Sequence, residues 1–294
     1  MKRRFSIHRQ QGFTLMELLI VTVLIGILAV LGGRLILAPI ESFTDVARRA
    51  ELVDIADNAL QRMSRELRVA LPNSIRITVS GDRTALEFLN TTTGGRYRAR
   101  VESDGNGNPL DPVFNSGTDE FDVPGGVIGP ITPGPAGQSS CLDGDADCLV
   151  VYNTGFGAGH FNAYNGDNIA AITAVTPTTI TYNNGANWNF PFPIPPSSQQ
   201  RFYVVDRPVS FVCDSSTDEL RRYEDYGIQN TQPVTDAEFG GPGNLLADNI
   251  AGCAFGYTGA GTRHGLVTLR VQVQDAATSE SVALLYQVHV VNVP

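Results

Sequence analysis

Histidine and cysteine are scarce in this chain of 294 residues, four of each. His8, His160, His264 and His289 are scattered, and no GxSxG elbow, HExxH pair or cysteine nucleophile accompanies them. Hydrolase and zinc-protease chemistry therefore has no carriers here. Gly155-Phe156-Gly157-Ala158-Gly159-His160 is glycine-rich, but no helix start follows it, and a phosphate loop needs one. We expect neither enzymatic activity nor a nucleotide site. A surplus of positive charge is missing as well. The net charge is −9 even though the first residues are basic, so the remainder is acidic. That argues against nucleic-acid binding through a general basic surface.

One further scarcity is local. From Phe13 to Ala38 the only formal charges are Glu17 and Arg34. This stretch would make a helix of roughly 39 Å, enough to cross a bilayer core of about 30 Å with some tilt. Lys2, Arg3, Arg4 and Arg9 precede it without an acidic residue, which keeps the amino terminus cytoplasmic and sends the rest outward. Leu35-Ile36-Leu37-Ala38-Pro39 is a poor cleavage site for a secretory signal peptide. A plain signal anchor accounts for the hydropathy but not for Glu17. A carboxylate deep in such a helix costs up to about 2.5–3.5 kcal/mol, and residues of that kind are functional by default. The bland alternative is a carboxylate snorkelling to the interface. Arg34 reads as an interfacial anchor, with an ion pair as the sharper alternative.

Gly12-Phe13-Thr14-Leu15-Met16-Glu17-Leu18-Leu19-Ile20-Val21 closely resembles the class III signal sequence of type IV pilins and type II secretion pseudopilins. The resemblance implies cleavage by a prepilin peptidase between Gly12 and Phe13, and N-methylation of Phe13. It also implies that Glu17 pairs with the terminal amine of a neighbouring subunit. The pairing is physically reasonable, because a buried carboxylate is tolerated when a cation meets it, and the contact fixes the axial register of apolar helices.

Beyond the apolar run, Pro39 removes a backbone donor and is expected to bend the helix. Val46, Ala50, Val53, Ala56, Leu60, Met63, Leu67 and Ala70 then recur every three or four residues, as an apolar stripe does. Leu71-Pro72-Asn73 closes the helix. The stripe is expected to pack on a sheet, a coiled coil being the alternative. The strands expected are Ser74–Val79, Thr84–Asn90, Arg96–Glu102, Leu149–Asn153, Asn168–Val175, Thr178–Tyr182, Arg201–Asp206, Val209–Cys213, Glu219–Tyr223, Leu266–Gln274 and Val282–Val291. Gly81-Asp82, Gly94-Gly95 and Tyr182-Asn183-Asn184-Gly185 read as turns. Asp104 to Gly137 reads as a long loop, and Trp188 to Pro196 as an extended connection.

All four cysteines follow the apolar run, on the side where thiols oxidise. Spacing suggests Cys141–Cys148 and Cys213–Cys253, with three connectivities open. No metal site is assigned. Asp104, Asn106 and Asn108 place oxygens at alternate positions as calcium loops do, and so do Asp143, Asp145 and Asp147. The sixth and twelfth positions of an EF-hand are Pro109 and Asn115 in the first loop, Cys148 and Thr154 in the second. Neither loop fits, and the same residues form ordinary turns. Calcium binding is retained only as a weak candidate, and no other cofactor is expected.

Several later segments are similar to minor pilins of mannose-sensitive haemagglutinin (MSHA) pili. They are Ala47-Arg48-Arg49-Ala50-Glu51-Leu52, Arg65 to Ser74, Leu220-Arg221-Arg222-Tyr223 and Gln287 to Pro294. The J-type minor pseudopilins of type II secretion share the layout. The fold implied is α+β and pilin-like, a long helix packed on an antiparallel sheet with an enlarged, loop-rich β head. The division expected is a leader at 1–12, a membrane or filament-core helix at 13–38, its amphipathic continuation at 39–71 and a periplasmic head at 72–294. The implied partners are the prepilin peptidase, other major and minor pilins, and the inner-membrane assembly platform. The implied location is the inner membrane before assembly and a filament or its tip afterwards. A minor pseudopilin is the first alternative. A tip adhesin binding a surface glycan is another, which exposed aromatics around Trp188 would favour.

Overall fold

The structure, a computed structural model, describes residues 12–98, 100, 107–110, 118–138, 140–156, 161–183, 199–259 and 263–293, with backbone only over 33–42 and at Thr118. The side chains of Arg34 and Pro39, the residues Asp104, Asn106, His8, His160 and Trp188, and the second half of the 182–185 turn lie outside that set. The chain is α+β. It divides into two compact units, residues 1–51 and 52–294. Helix α1 covers Leu15–Leu67.

In the first unit, the side chains of α1 over Leu15–Gly32 are apolar except Glu17 and Thr22, and almost all are exposed. Leu15–Gly32 is long and apolar enough to cross a membrane. Val46, expected in the stripe, is exposed here.

In the second unit the stripe lies where expected from Ala56 to Leu67, with Leu52 in place of Val53 at its start. Leu52, Ala56, Ala59, Leu60, Met63 and Leu67 are buried, whereas Val53 is only half-buried. The stripe packs against two sheets. The larger contains β1 (Arg76–Ser80), β2 (Arg83–Arg96), β3 (Thr118–Asp122), β4 (Cys148–Val151), β5 (Ile169–Val175), β6 (Thr179–Asn183), β7 (Arg201–Asp214), β8 (Glu219–Tyr223) and β9 (Asn244–Ala247). Their order is β1-β2-β7-β4-β5-β6-β3, with β8 on β7 and β9 on β8. The smaller is an antiparallel meander of β10 (Ile250–Thr258), β11 (His264–Gln274) and β12 (Ser281–Val291). Phe88 and Phe211 from the large sheet, and Val267, Leu269, Val271, Val273, Val288 and Val290 from the small one, share one core with the stripe. Fully burying side chains of this size stabilises by roughly 1.5–3 kcal/mol each. Cys213 of β7 is bonded to Cys253 of β10, so one disulfide joins the two sheets; the other joins Cys141 to Cys148.

Two strand expectations need correction. Gly94-Gly95 is not a turn, and no separate strand begins at Arg96. Strand β2 runs through both glycines, paired with Tyr203 and Phe202. A Cβ on Gly94 would come within 2.9 Å of the Phe202 carbonyl oxygen, and one on Gly95 within 2.9 Å of the Phe202 ring. Close approach, not a reversal, requires glycine there. Likewise Arg201–Asp206 and Val209–Cys213 are one strand, β7, despite Pro208. Opposite Pro208 stands Leu89, whose N–H donates to Ser74 Oγ and whose carbonyl accepts from Leu71 N. Leu89 thus turns its backbone groups away from β7, making a non-hydrogen-bonded pair. The missing N–H of Pro208 faces the other edge, in the gap where β7 exchanges β4 for β8.

The helix end is tied by asparagines. Asn73 adopts φ +59°, a left-handed conformation that asparagine tolerates. Its side-chain amide donates to the carbonyls of Asn153 and Asn292. Asn153 in turn donates to Pro72 O, and Asn292 to Tyr257 Oη and Gly259 O.

Candidate assembly site at the amino terminus

Gly12 and Phe13 precede α1 without regular structure, and both are exposed. Thr14 then starts the helix. Its carbonyl accepts from the N–H groups of Glu17 and Leu18, and its Oγ1 accepts from Glu17 N at 3.3 Å. Thr14-x-x-Glu17 is therefore a helix-start pattern, with the threonine satisfying one of the orphan donors of the first turn. The sequence reading passed over this role of Thr14, although the threonine three residues before a glutamate was there to see. Glu17 sits in the first turn, where a carboxylate is favoured by the partial positive charge of the helix start.

Around that carboxylate the surface is greasy. Phe13 is 80% exposed, Leu15 84% and Met16 67%, and large apolar residues stay exposed at least as far as Leu31. Such a contiguous apolar surface belongs in lipid or against other helices. The Gly12–Phe13 bond lies in exposed, irregular backbone four residues before Glu17.

Residues 7–32 match the prokaryotic N-terminal methylation motif. The match supports a type IV pilin or pseudopilin role for the chain. It spans the junction and most of the apolar run, and none of the head. No curated protein matches the chain. No solved structure matches it either. The apolar helix and the motif together fit single-pass anchoring in the inner membrane.

The second unit holds the other candidates apart. Asn108 is occupied: its N–H donates to Asp122 Oδ2 at 3.1 Å and its side-chain amide to Glu120 Oε1 at 3.1 Å, pinning the loop to β3. Strand β3 itself was missed in what was read as loop, because Thr-Asp-Glu-Phe-Asp has one apolar residue. Asp143 and Asp145 are exposed, whereas Asp147 is buried and accepts from Thr132 N at 2.9 Å. Burial pushes the Asp147 carboxyl above its usual range, which the Thr132 hydrogen bond partly offsets. These three residues line a cleft of about 400 Å³ together with Asp206, Glu224 and Asp225. Arg207 offsets part of that negative charge, with Nε 2.9 Å from Asp206 and Nη1 3.4 Å from Glu224. Among the described residues no group of three His, Cys, Asp or Glu side chains is placed to hold a metal ion.

A buried ion pair lies elsewhere in the head. Glu87, fully buried, accepts from Arg76 Nε at 2.7 Å and from Tyr226 Oη at 3.2 Å. Burial raises its carboxyl above the ordinary value, and the Arg76 hydrogen bond works against that shift. Arg76 also donates to the carbonyls of Gln229 and Asn230 and lies 3.7 Å above the Tyr164 ring. It straps residues 226–230 onto β1 and β2, which is a structural task.

Proposed function

We propose that this chain is a minor subunit of an MSHA-like type IV pilus, with a structural rather than enzymatic task in pilus assembly at or near the tip. The observation that carries the reading is Glu17, one carboxylate in the first turn of an exposed apolar helix, inside the methylation motif. In this reading a prepilin peptidase cleaves between Gly12 and Phe13, and Phe13 becomes the N-methylated first residue. Residues 13–38 then serve as membrane anchor and, after extraction, as filament core. Glu17 neutralises the amine of a neighbouring Phe13, which removes two uncompensated charges from an apolar setting at once. The head carries contacts to other major and minor pilins, and the assembly platform of the inner membrane works on the helix. The relative size of the head favours a minor subunit. The similarity of the segments around Leu71 to Ser74 and Gln287 to Pro294 favours an MSHA-like system, and a minor pseudopilin of type II secretion is the second reading.

The decisive measurement is the mass of the amino-terminal peptide of the mature protein. A peptide starting at N-methylated Phe13 is expected. One that retains Lys2 to Gly12 sinks the processing step. In parallel, Glu17→Val is expected to leave cleavage intact and to lower recovery in sheared filaments about tenfold. Recovery at the parental level would rule out the pairing for this subunit. Deleting the gene and counting both pili and secreted proteins separates the pilus from the secretion filament.

A further inference from the structure

Strand β12 is built as an open docking edge. Among the described residues it pairs only with β11, through eleven matched residues without a bulge. In an antiparallel ladder, alternate residues aim both N–H and C=O away from the partner, so about half of its residues offer unpaired backbone groups. Exposed edges are normally defended by charge, proline, bulges or shortness. Ser-Val-Ala-Leu-Leu-Tyr-Gln-Val-His-Val-Val has no Asp, Glu, Lys, Arg or Pro. The edge strand β3 shows what defence looks like in the same molecule: five residues, three of them acidic.

The side chains agree with the backbone. Val288 and Val290 are buried in the core, while Val282, Leu284 and Tyr286, on the same face, are only half-covered. On the other face Leu285 is 58% and Val291 56% exposed. One more strand alongside would finish covering the first group and shelter the second. The edge also adjoins the helix: Tyr286 Oη donates to Asp57 Oδ1 at 2.6 Å. It lies in the head, to which the assembly reading assigns the contacts with other pilins.

We propose that β12 accepts, by strand addition, an extended segment of another pilin-type subunit. The occupant is uncharged and apolar at alternate positions, because a charge facing Val282, Leu284 or Tyr286 would be desolvated without a partner. The proposal deepens the assembly reading and rests on it. It goes further in naming the contact surface of the head and the chemistry that fits it.

The test uses the full chain in the cells that make it. Gln287, exposed in the middle of β12, is replaced by cysteine and labelled with a thiol-linked benzophenone; the described native cysteines are all disulfide-bonded. Ultraviolet cross-linking followed by mass spectrometry is expected to find the adduct on an extended segment of a different pilin-type subunit. Adding Leu285→Lys and His289→Lys is expected to lower that adduct about tenfold. Ala277→Lys, in the exposed turn before β12, is expected to leave it unchanged. Mass analysis for both disulfides checks that each variant is folded. Adducts confined to the chain itself, to lipid or to a second copy of this chain overturn the proposal, as does an adduct insensitive to the two lysines. The band is scored in the membrane fraction as well as in sheared filaments. Loss from filaments alone therefore counts against the assembly reading, and loss of the band in membranes counts against the edge.

Discussion

Residues 15–32 and 52–67 belong to one helix and have opposite relations to their surroundings. The first stretch shows apolar side chains on every side, almost all exposed. The second confines them to one stripe, fully covered by Phe88, Phe211 and the valines of β11 and β12, and turns Asp54, Asn58, Arg62 and Arg65 to solvent. The backbone is the same in both. The side-chain pattern records the solvent each stretch is made for: lipid or other helices in one case, a sheet and water in the other. Helix propensity alone could not distinguish them.

The largest effect that can break this contrast comes from an equal insult to each half. Leu60→Asp buries an unpaired charge in the stripe and is expected to cost the head on the order of 5 kcal/mol, enough to prevent folding. Leu24→Asp is expected to leave the unfolding of the head unchanged while weakening membrane retention. Denaturant unfolding of the detergent-solubilised chain, followed by circular dichroism, compares the two. Equal losses would mean that the halves are not energetically separate.

A second test sharpens how the cover is held. The bond between Cys213 and Cys253 closes a loop of 40 residues and joins the two sheets over the helix. Replacing both with Ala is expected to cost about 4 kcal/mol. The shorter Cys141–Cys148 ring, with a separation of 7, is expected to cost about 2 kcal/mol on the same loop-closure argument. Reversed ranking would show that the inter-sheet bond is not what clamps the stripe.

Trimming the stripe without charging it comes next. Met63→Ala removes a fully buried side chain and is expected to cost about 2–5 kcal/mol, towards the lower end if its neighbours collapse inward. Ile25→Ala, in the exposed run, is expected to change head unfolding by less than about 0.5 kcal/mol.

The smallest effect is electrostatic. The hydrogen bond and charge of Arg222 hold the Glu224 carboxyl below its ordinary value of 4.5. The folded carboxyl therefore ionises more readily than the unfolded one. Its contribution is fully present above about pH 4.5 and is lost as pH falls through the folded value. The pair is partly exposed, so the contribution is under about 1 kcal/mol. Glu224→Gln should flatten the acid limb of the stability profile by that amount. A profile identical to the parent would show that the Arg222–Glu224 contact is idle.

Much of the scaffold was legible because it obeys simple periods. The apolar run, the stripe and the alternation of β11 and β12 all follow from spacing of 3.6 or 2. Only the start of the stripe was misjudged, because Val53 suits the pattern as well as Leu52, and only the sheet decides between them. Strand β10 escaped notice because Ile-Ala-Gly-Cys-Ala-Phe-Gly-Tyr-Thr is rich in small residues and lacks alternation. Its place comes from β11 beside it and from Cys253, which are tertiary reasons. Gly94-Gly95 was read as a turn and residues 201–213 as two strands, yet the glycines meet a ring and a carbonyl and Pro208 sits where one strand changes partner. Local signals name the residue and leave its reason to the neighbours. At the amino terminus the residues around Glu17 were legible for the opposite reason, since the motif lies in consecutive positions and needs no fold to bring it together.

The arrangement of the stripe also sets an order of events. Its residues, Leu52 to Leu67, are made early, but the strands that cover them from the small sheet, β11 and β12, follow about 200 residues later in the chain, a separation that slows closure of the contact. Until those strands arrive the stripe lacks half of its cover, and the asparagine tie between Asn73 and Asn292 can close only after residue 292 has arrived. Such a chain has a long window for aggregation, and it must pass through that window with its apolar run already seeking a bilayer.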